Sequence, residues 1–382
     1  MPFTNERFSR KLAALRTEFS EDIQTVARLC GLPVGRLENL ERGVVTPTGD
    51  EILIIADHFK RDFRYLLDDD AEDTGHDLDV LFRQHGDALN SDDRHAVAEF
   101  TFLCSMQAFL EELLGRRPQA VEFRFRPVGK YYKRHGSECA DALRNHLGLQ
   151  PHAIVPDIFG CLRRIGLRVF RRGLVNTQIS GIFLQHPGAG ACVLINYAEG
   201  LPRQRFSAAH ELAHALLDGG EISFSTTDDL VSQELTEIRA NTFASEFLMP
   251  PALLHEVPAD HWRNPDQIIE WARRLMVSVP ALLTALRQAN LITAQAREEL
   301  RSLQLRYEPP SDPELPADLT TAQHQRKEAL LRRGLSQEYV GLCIDAYTEN
   351  AISRGKLAEA LLLGPHELPE VAALYGRTLG HE

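Results

Sequence analysis

The chain has 382 residues, of which 43% are hydrophobic and 25% charged, and its net charge is −12. That length accommodates two or three domains of about 100–200 residues each. The composition excludes a disordered chain and excludes nucleic-acid binding through bulk charge, which would need a local basic surface instead.

Residues 8–67 read as five short helices. Phe8, Leu12 and Leu15 form one helical stripe, and Val26, Ala27 and Leu29 a second that Gly31 ends. Leu37 and Leu40 follow, ended by Gly43; Pro47 then opens a segment with Ile52, Ile55 and Ala56, and Phe63, Leu66 and Leu67 close the set. Residues 68–79 are mostly acidic and read as a solvated linker. A long helix is expected near 92–115, with Val97, Phe100, Leu103, Cys104 and Leu110 on its apolar side. Helices near 137–147 and 156–165 precede three strand-like runs, Leu167–Arg171, Gly181–Leu184 and Cys192–Asn196. Gly188-Ala189-Gly190 marks the turn between the last two. Two further helices follow, one on the segment with His210 and one at 231–248 that stops at Met249-Pro250-Pro251, and helical character continues to about 304. A proline-rich break at 308–316 sets off a helical C-terminal piece without recognisable chemistry.

The expected fold is mostly α with a small β-sheet (α+β). Its expected parts are a five-helix domain over 1–67, an acidic linker and connecting helix over 68–119, a catalytic domain over 120–304 and a C-terminal segment over 320–382. Cys30, Cys104, Cys139, Cys161, Cys192 and Cys343 form no C-x-x-C pair, which fits a reducing compartment rather than a disulfide framework. No apolar run approaches the roughly 20 residues that a bilayer demands, and the N-terminal residues lack an apolar signal region. A soluble cytoplasmic protein with no membrane contact is expected.

The chemistry lies in the run Phe206-Ser207-Ala208-Ala209-His210-Glu211-Leu212-Ala213-His214. H-E-x-x-H on a helix puts two imidazoles on one face, about one turn apart. Neutral imidazoles so placed can share one zinc ion (Zn2+), and Glu211 between them can take a proton from an attacking water. Catalytic zinc takes three protein ligands, so a third must come from another element. The helix at 231–248 offers Glu234 and Glu237. Glu237 is preferred because it lies four residues before Asn241 and shares its face; Asn241 can then bond the distal nitrogen of a ligand histidine and fix its tautomer. Glu234 is held in reserve. Asp218 can line the cleft, though capping or solvating the helix end is the commoner role. His255 and His261 read as surface or satisfied core groups, and Tyr197 is a candidate donor to the developing oxyanion. A zinc hydrolase, most simply a metallopeptidase with a gluzincin-like ligand set, follows; the family resemblance below narrows this to an endopeptidase.

Several segments together resemble the ImmA/IrrE family of zinc metallopeptidases. Ile179–Phe183 and Val193–Asn196 look like strands of that family, Arg205–Leu217 is similar to its metal motif, and Glu237–Pro250 matches its second motif. The resemblance covers roughly 120–290. It implies a zincin-like domain, a zinc-ligating glutamate at Glu237, and cleavage of a protein partner such as a repressor or antitoxin under stress or phage-related signals.

Residues 8–67 resemble the Cro/C1-type helix-turn-helix. Val26–Pro33 matches its second helix and turn, and Leu37–Gly43 followed by Pro47 its recognition helix and exit. The resemblance implies DNA binding and transcription regulation, with Arg36, Asn39 and Arg42 as candidate contacts and a homodimer as the usual assembly. Two departures stand out. Ile23 occupies a position often held by a phosphate-contacting glutamine, and residues 1–67 balance ten Lys/Arg against ten Asp/Glu. A docking or dimer surface therefore remains an alternative role for this module. A transcriptional regulator whose zincin-like domain senses without cutting remains the alternative for the whole chain.

Overall fold

The computed structural model describes residues 3–68, 89–116, 123–129, 131–218, 223–226, 235–302 and 312–380. The acidic stretch at 69–79, the reserve ligand Glu234 and the proline-rich residues 308–311 lie outside them. The chain divides into two compact units, one of residues 1–103 with 174–176, the other of 104–173 with 177–382.

The first unit contains α1 (Asn5–Glu18), α2 (Ile23–Leu29), α3 (Val34–Glu41), α4 (Gly49–His58), α5 (Phe63–Leu67) and the start of α6 (Ser91–Leu113). Local chemistry sets the helix starts. Thr4 accepts from the Arg7 N–H, Asp22 from Thr25, and Asp62 from Arg64; Thr48 and Glu51 form a reciprocal capping box. Gly31 and Gly43 end α2 and α3 with φ of +65° and +69°, values that glycine adopts without strain. Phe8, Leu12, Leu15, Val26, Leu37, Leu40, Ile55 and Phe59 fill the core. Leu29 and Phe63 belong to the expected stripes but are exposed, at 51% and 43%, because α2 and α5 are too short to bury more than part of their surface.

The second unit holds a four-stranded sheet in the order β1-β3-β2-β4. β1 (Arg168–Arg172) runs parallel to β3 (Gly190–Asn196), and β2 (Ile179–His186) runs antiparallel to both β3 and β4 (Ser223–Thr226). The β2–β3 turn falls at 187–189. β4 has no counterpart in the sequence reading; Ser-Phe-Ser-Thr is too short to carry an alternating pattern. The β2–β4 register shifts between Ile179 and Gly181, a local irregularity of the kind that re-aims side chains beside active sites.

α7 (Tyr132–His146), α8 (Ile158–Arg164), α9 (Leu201–Leu217) and α10 (Leu235–Leu248) pack with this sheet around one core that includes Leu143, Phe183, Val193, Leu212, Phe243 and Phe247. Gly136 lets α7 press against α10: a Cβ there would lie 2.3 Å from the Arg239 carbonyl oxygen. Arg144 donates to the Phe247 carbonyl at 2.7 Å and holds the far end of the same contact. Phe243 and Phe247 stack at 5.5 Å and are buried. Truncating either to alanine would cost about 3–5 kcal/mol, so α10 is firmly placed.

α11 (Pro251–Glu256), α12 (Pro265–Leu275), α13 (Val279–Gln288) and α14 (Ala294–Ser302) extend that core. The C-terminal helices α15 (Thr321–Leu331), α16 (Gln337–Thr348), α17 (Arg354–Ala360) and α18 (Leu368–Leu374) are not a detached piece. They dock on the β1 edge, where the Gly173 N–H donates to the Arg332 carbonyl at 2.8 Å and Phe170 meets Tyr339 edge-on at 5.4 Å. Among the described residues no helix is long and apolar enough to cross a membrane, and all six cysteines are free and buried.

Candidate metal centre

α9 starts at Gly200, with Pro202 in its first turn, where a missing N–H costs nothing. Its inner face buries Ala208, Ala209, Leu212 and Ala213. The 3.6-residue period places His210 and His214 on the neighbouring face, one turn apart, with their Nε2 atoms 3.0 Å from each other. Glu237 enters from the first turn of α10. Its Oε2 lies 3.2 Å from His210 Nε2 and its Oε1 3.1 Å from His214 Nε2. All three side chains are mostly withdrawn from water, at 5%, 9% and 15% exposure.

The far ring nitrogens define the tautomers. His210 Nδ1 is 3.1 Å from Asn241 Oδ1, and His214 Nδ1 is 2.6 Å from Asp218 Oδ2. Both partners are acceptors, so each Nδ1 carries the proton and donates it. In the neutral imidazoles each Nε2 is then a lone pair. Two lone pairs and a carboxylate converge on one point, an arrangement that repels itself unless a cation sits between them. A proton can serve. Burial opposes the charge on His214, but Glu237 and then Glu211 outweigh it and raise its pKa above the ordinary 6.5. Burial likewise works against ionisation of Glu237, yet the two imidazoles hold its carboxyl at about 2. A metal ion fits better. Tetrahedral zinc at about 2.0–2.1 Å from each donor separates donors by roughly 3.3 Å, close to the 3.0–3.2 Å found here. Two imidazoles and one carboxylate are also a donor set that zinc takes.

Residues 162–287 match the family model of the IrrE N-terminal-like domain. The stretch contains all three converging side chains. A second likeness is to the radiation response metalloprotease IrrE of Deinococcus radiodurans, 33% identical over 98 residues. That alignment takes in 25% of this chain and 30% of the relative, so the chain spans about a third of the length of the curated protein it matches.

The structure places His210, Glu211, His214, Glu237 and Asn241 together. Glu211 is fully buried between the histidines on α9. Asp218 takes the helix-end role expected of it and a further one. It occupies the C-cap position of α9, and its carboxylate also receives the His214 proton and pairs with Arg239. The i,i+4 spacing from His214 was the available signal. Tyr197 sits elsewhere: its ring lies under the guanidiniums of Arg171 and Arg332 at 5.3 and 5.8 Å, and the expected oxyanion contact has no support in this position. His255 is exposed near the end of α11, and His261 Nδ1 accepts from Trp271 at 3.3 Å.

In the sequence Gly181 is legible only as a strand residue. A Cβ at this position would lie 2.9 Å from Glu211 Oε1 and 3.0 Å from its Cγ. β2 thus passes so close to Glu211 that a side chain here would displace the carboxylate, a constraint that depends on packing between distant segments.

In the first unit, Arg36 is committed to a bidentate pair with Glu51, at 2.7 and 2.8 Å, and to the Thr46 carbonyl. Asn39 is partly exposed and Arg42 exposed at the end of α3. Val34 and Val44, beside them, are 40% and 62% exposed.

Proposed function

We propose that the chain is a zinc-dependent endopeptidase that cuts a specific regulatory protein, a repressor or antitoxin, and carries a DNA-binding helical module. The observation that carries this reading is the convergence of two imidazole lone pairs and a carboxylate, with both far protons donated away and a buried glutamate alongside. His210, His214 and Glu237 hold the metal. When bound, zinc polarises the scissile carbonyl and activates water for attack. Glu211 takes the proton from the attacking water and returns it to the leaving amine. Gly181 leaves the Glu211 carboxylate its working space. Asn241 and Asp218 keep the ligand rings turned and their tautomers fixed.

A dedicated protein substrate fits the attached helical module, which can bring the protease to a regulator at its DNA site. Residues 8–67 supply DNA contacts through Asn39 and Arg42, with Arg36 positioned by Glu51, and a homodimer doubles those contacts. The exposed Val34 and Val44 favour a second use of this face for docking or pairing. The same module supports the competing reading, a regulator whose metal domain senses and does not cut. Glu211 argues against it, because holding zinc needs no general base.

Glu211→Gln in the full chain decides between the two. The variant should retain metal and lose cleavage of a co-expressed partner encoded beside its gene. Full regulatory activity of that variant in cells would rule out the protease reading.

A further inference from the structure

A second group of metal-ligand side chains lies in the first unit, made of Glu21, His58 and His95, with donor atoms all within 4.8 Å of one another. Glu21 follows α1, His58 ends α4, and His95 lies in the second turn of α6. Each imidazole faces its own oxygen of the same carboxylate: His58 Nε2 lies 2.7 Å from Oε2, and His95 Nε2 lies 3.0 Å from Oε1. Glu21 is 2% exposed, His58 10% and His95 21%.

A carboxylate withdrawn this far from water needs a compensating positive charge. Among the described residues no lysine or arginine pairs with that of Glu21. Arg16 reaches only its backbone carbonyl, and the remaining contact is the Ser91 hydroxyl at 3.4 Å. The charge must therefore come from a proton on imidazole or from a bound cation. Two features favour a cation. The donor set repeats that of the His210 trio, two Nε2 atoms and one glutamate, and its imidazole-to-carboxylate distances of 2.7 and 3.0 Å lie near the roughly 3.3 Å donor spacing of tetrahedral zinc. Aromatic rings wall it in: Phe19 lies 4.7 Å from the His95 ring and Phe59 4.6 Å from that of His58. Such an apolar shell restricts water around a metal and lowers the local dielectric.

We propose that Glu21, His58 and His95 form a second metal site, for a divalent cation of the zinc class, that ties the α1–α2 loop and the end of α4 to the start of α6. The three ligands come from segments far apart in sequence, so the bound ion acts as a cross-link of the helical unit. Its role is structural, joining three segments of the helical unit.

Cobalt(II) titration of the full chain tests this, read by visible absorption and by metal retained after desalting. Wild-type protein should hold two equivalents and the His210→Ala/His214→Ala variant one. Adding His95→Ala to that variant should remove the last equivalent, with circular dichroism verifying its fold. If the added change unfolds the chain, X-ray absorption on the cobalt-loaded double variant gives the same answer and should count two imidazoles with oxygen donors. No cobalt retained by a folded His210→Ala/His214→Ala variant would overturn the site and leave a proton-bridged cluster. Retention undiminished after loss of both His58 and His95 would overturn it as well.

Discussion

Asp218 offers the sharpest test of the lone-pair argument. In Asp218→Ala the His214 Nδ1 proton loses a charge-assisted partner at 2.6 Å, whereas in Asn241→Ala the His210 proton loses a neutral one at 3.1 Å. Hydrogen bonds to charged groups contribute about 1.5–3 kcal/mol net and neutral ones about 0.5–1.5 kcal/mol. At about 1.4 kcal/mol per tenfold, zinc affinity should fall roughly 10- to 100-fold for Asp218→Ala and roughly 2- to 10-fold for Asn241→Ala. The first range is cut at its upper end because Asp218 is 22% exposed and shared with Arg239. Removing Asp218 also leaves Arg239 uncompensated near the site, which acts in the same direction. The assay is competition with a chromophoric chelator near neutral pH, in a His95→Ala background so that the Glu21 cluster does not contribute. Wild-type affinity in Asp218→Ala would refute the reasoning, since it would mean that the proton on Nδ1 does not set the lone pair on Nε2. So would a larger loss for Asn241→Ala than for Asp218→Ala.

Gly181→Ala should lower cleavage about 10- to 100-fold with zinc content unchanged, because the new methyl displaces Glu211 and none of the ligands; metal analysis beside a turnover assay checks this. Glu237→Ala should abolish stoichiometric zinc at the trio, whereas Glu234→Ala should not, as measured by metal content after desalting. The pH dependence has a definite sign. In the metal-free chain the raised His214 contributes stability below about 6.5 that is lost as pH rises through its folded pKa, and Glu237 contributes stability above 4.5 that is lost as pH falls through about 2. Zinc competes with the proton on His214, so the zinc-induced rise in Tm should be larger at pH 8 than at pH 6 by scanning calorimetry. In DNA mobility shifts with the full chain, Arg42→Ala should weaken binding several-fold and Arg36→Ala should act through the fold of α3 and α4, since its guanidinium is already bound to Glu51.

Helical periodicity and local signals carried much of the fold. The Phe8–Leu12–Leu15 stripe, the glycine stops at Gly31 and Gly43 and the strands around Ile182 and Val193 depend on residues within one or two turns of each other, so they are legible in order along the chain. The His210–His214 pair is legible for the same reason: a spacing of four on a helix fixes both rings relative to each other. Glu237 and Asn241 came forward because they share one helix face.

What the chain order could not settle is which distant surfaces meet. The short strand at 223–226 acquires its meaning only from β2 beside it. Gly181 matters because β2 crosses Glu211, and Gly136 because α7 lies against Arg239. Arg36 looks available for DNA until Glu51 is brought to it, and Glu21, His58 and His95 become one cluster only when three separate segments converge. The sequence determined the α+β class, many of the helices and the chemical types of the candidate metal ligands, since backbone periodicity and side-chain chemistry are local. The tertiary structure decided which acceptors face the ligand rings, which carboxylates are buried and which glycine lies against Glu211, because desolvation and van der Waals exclusion depend on atoms far away in the chain.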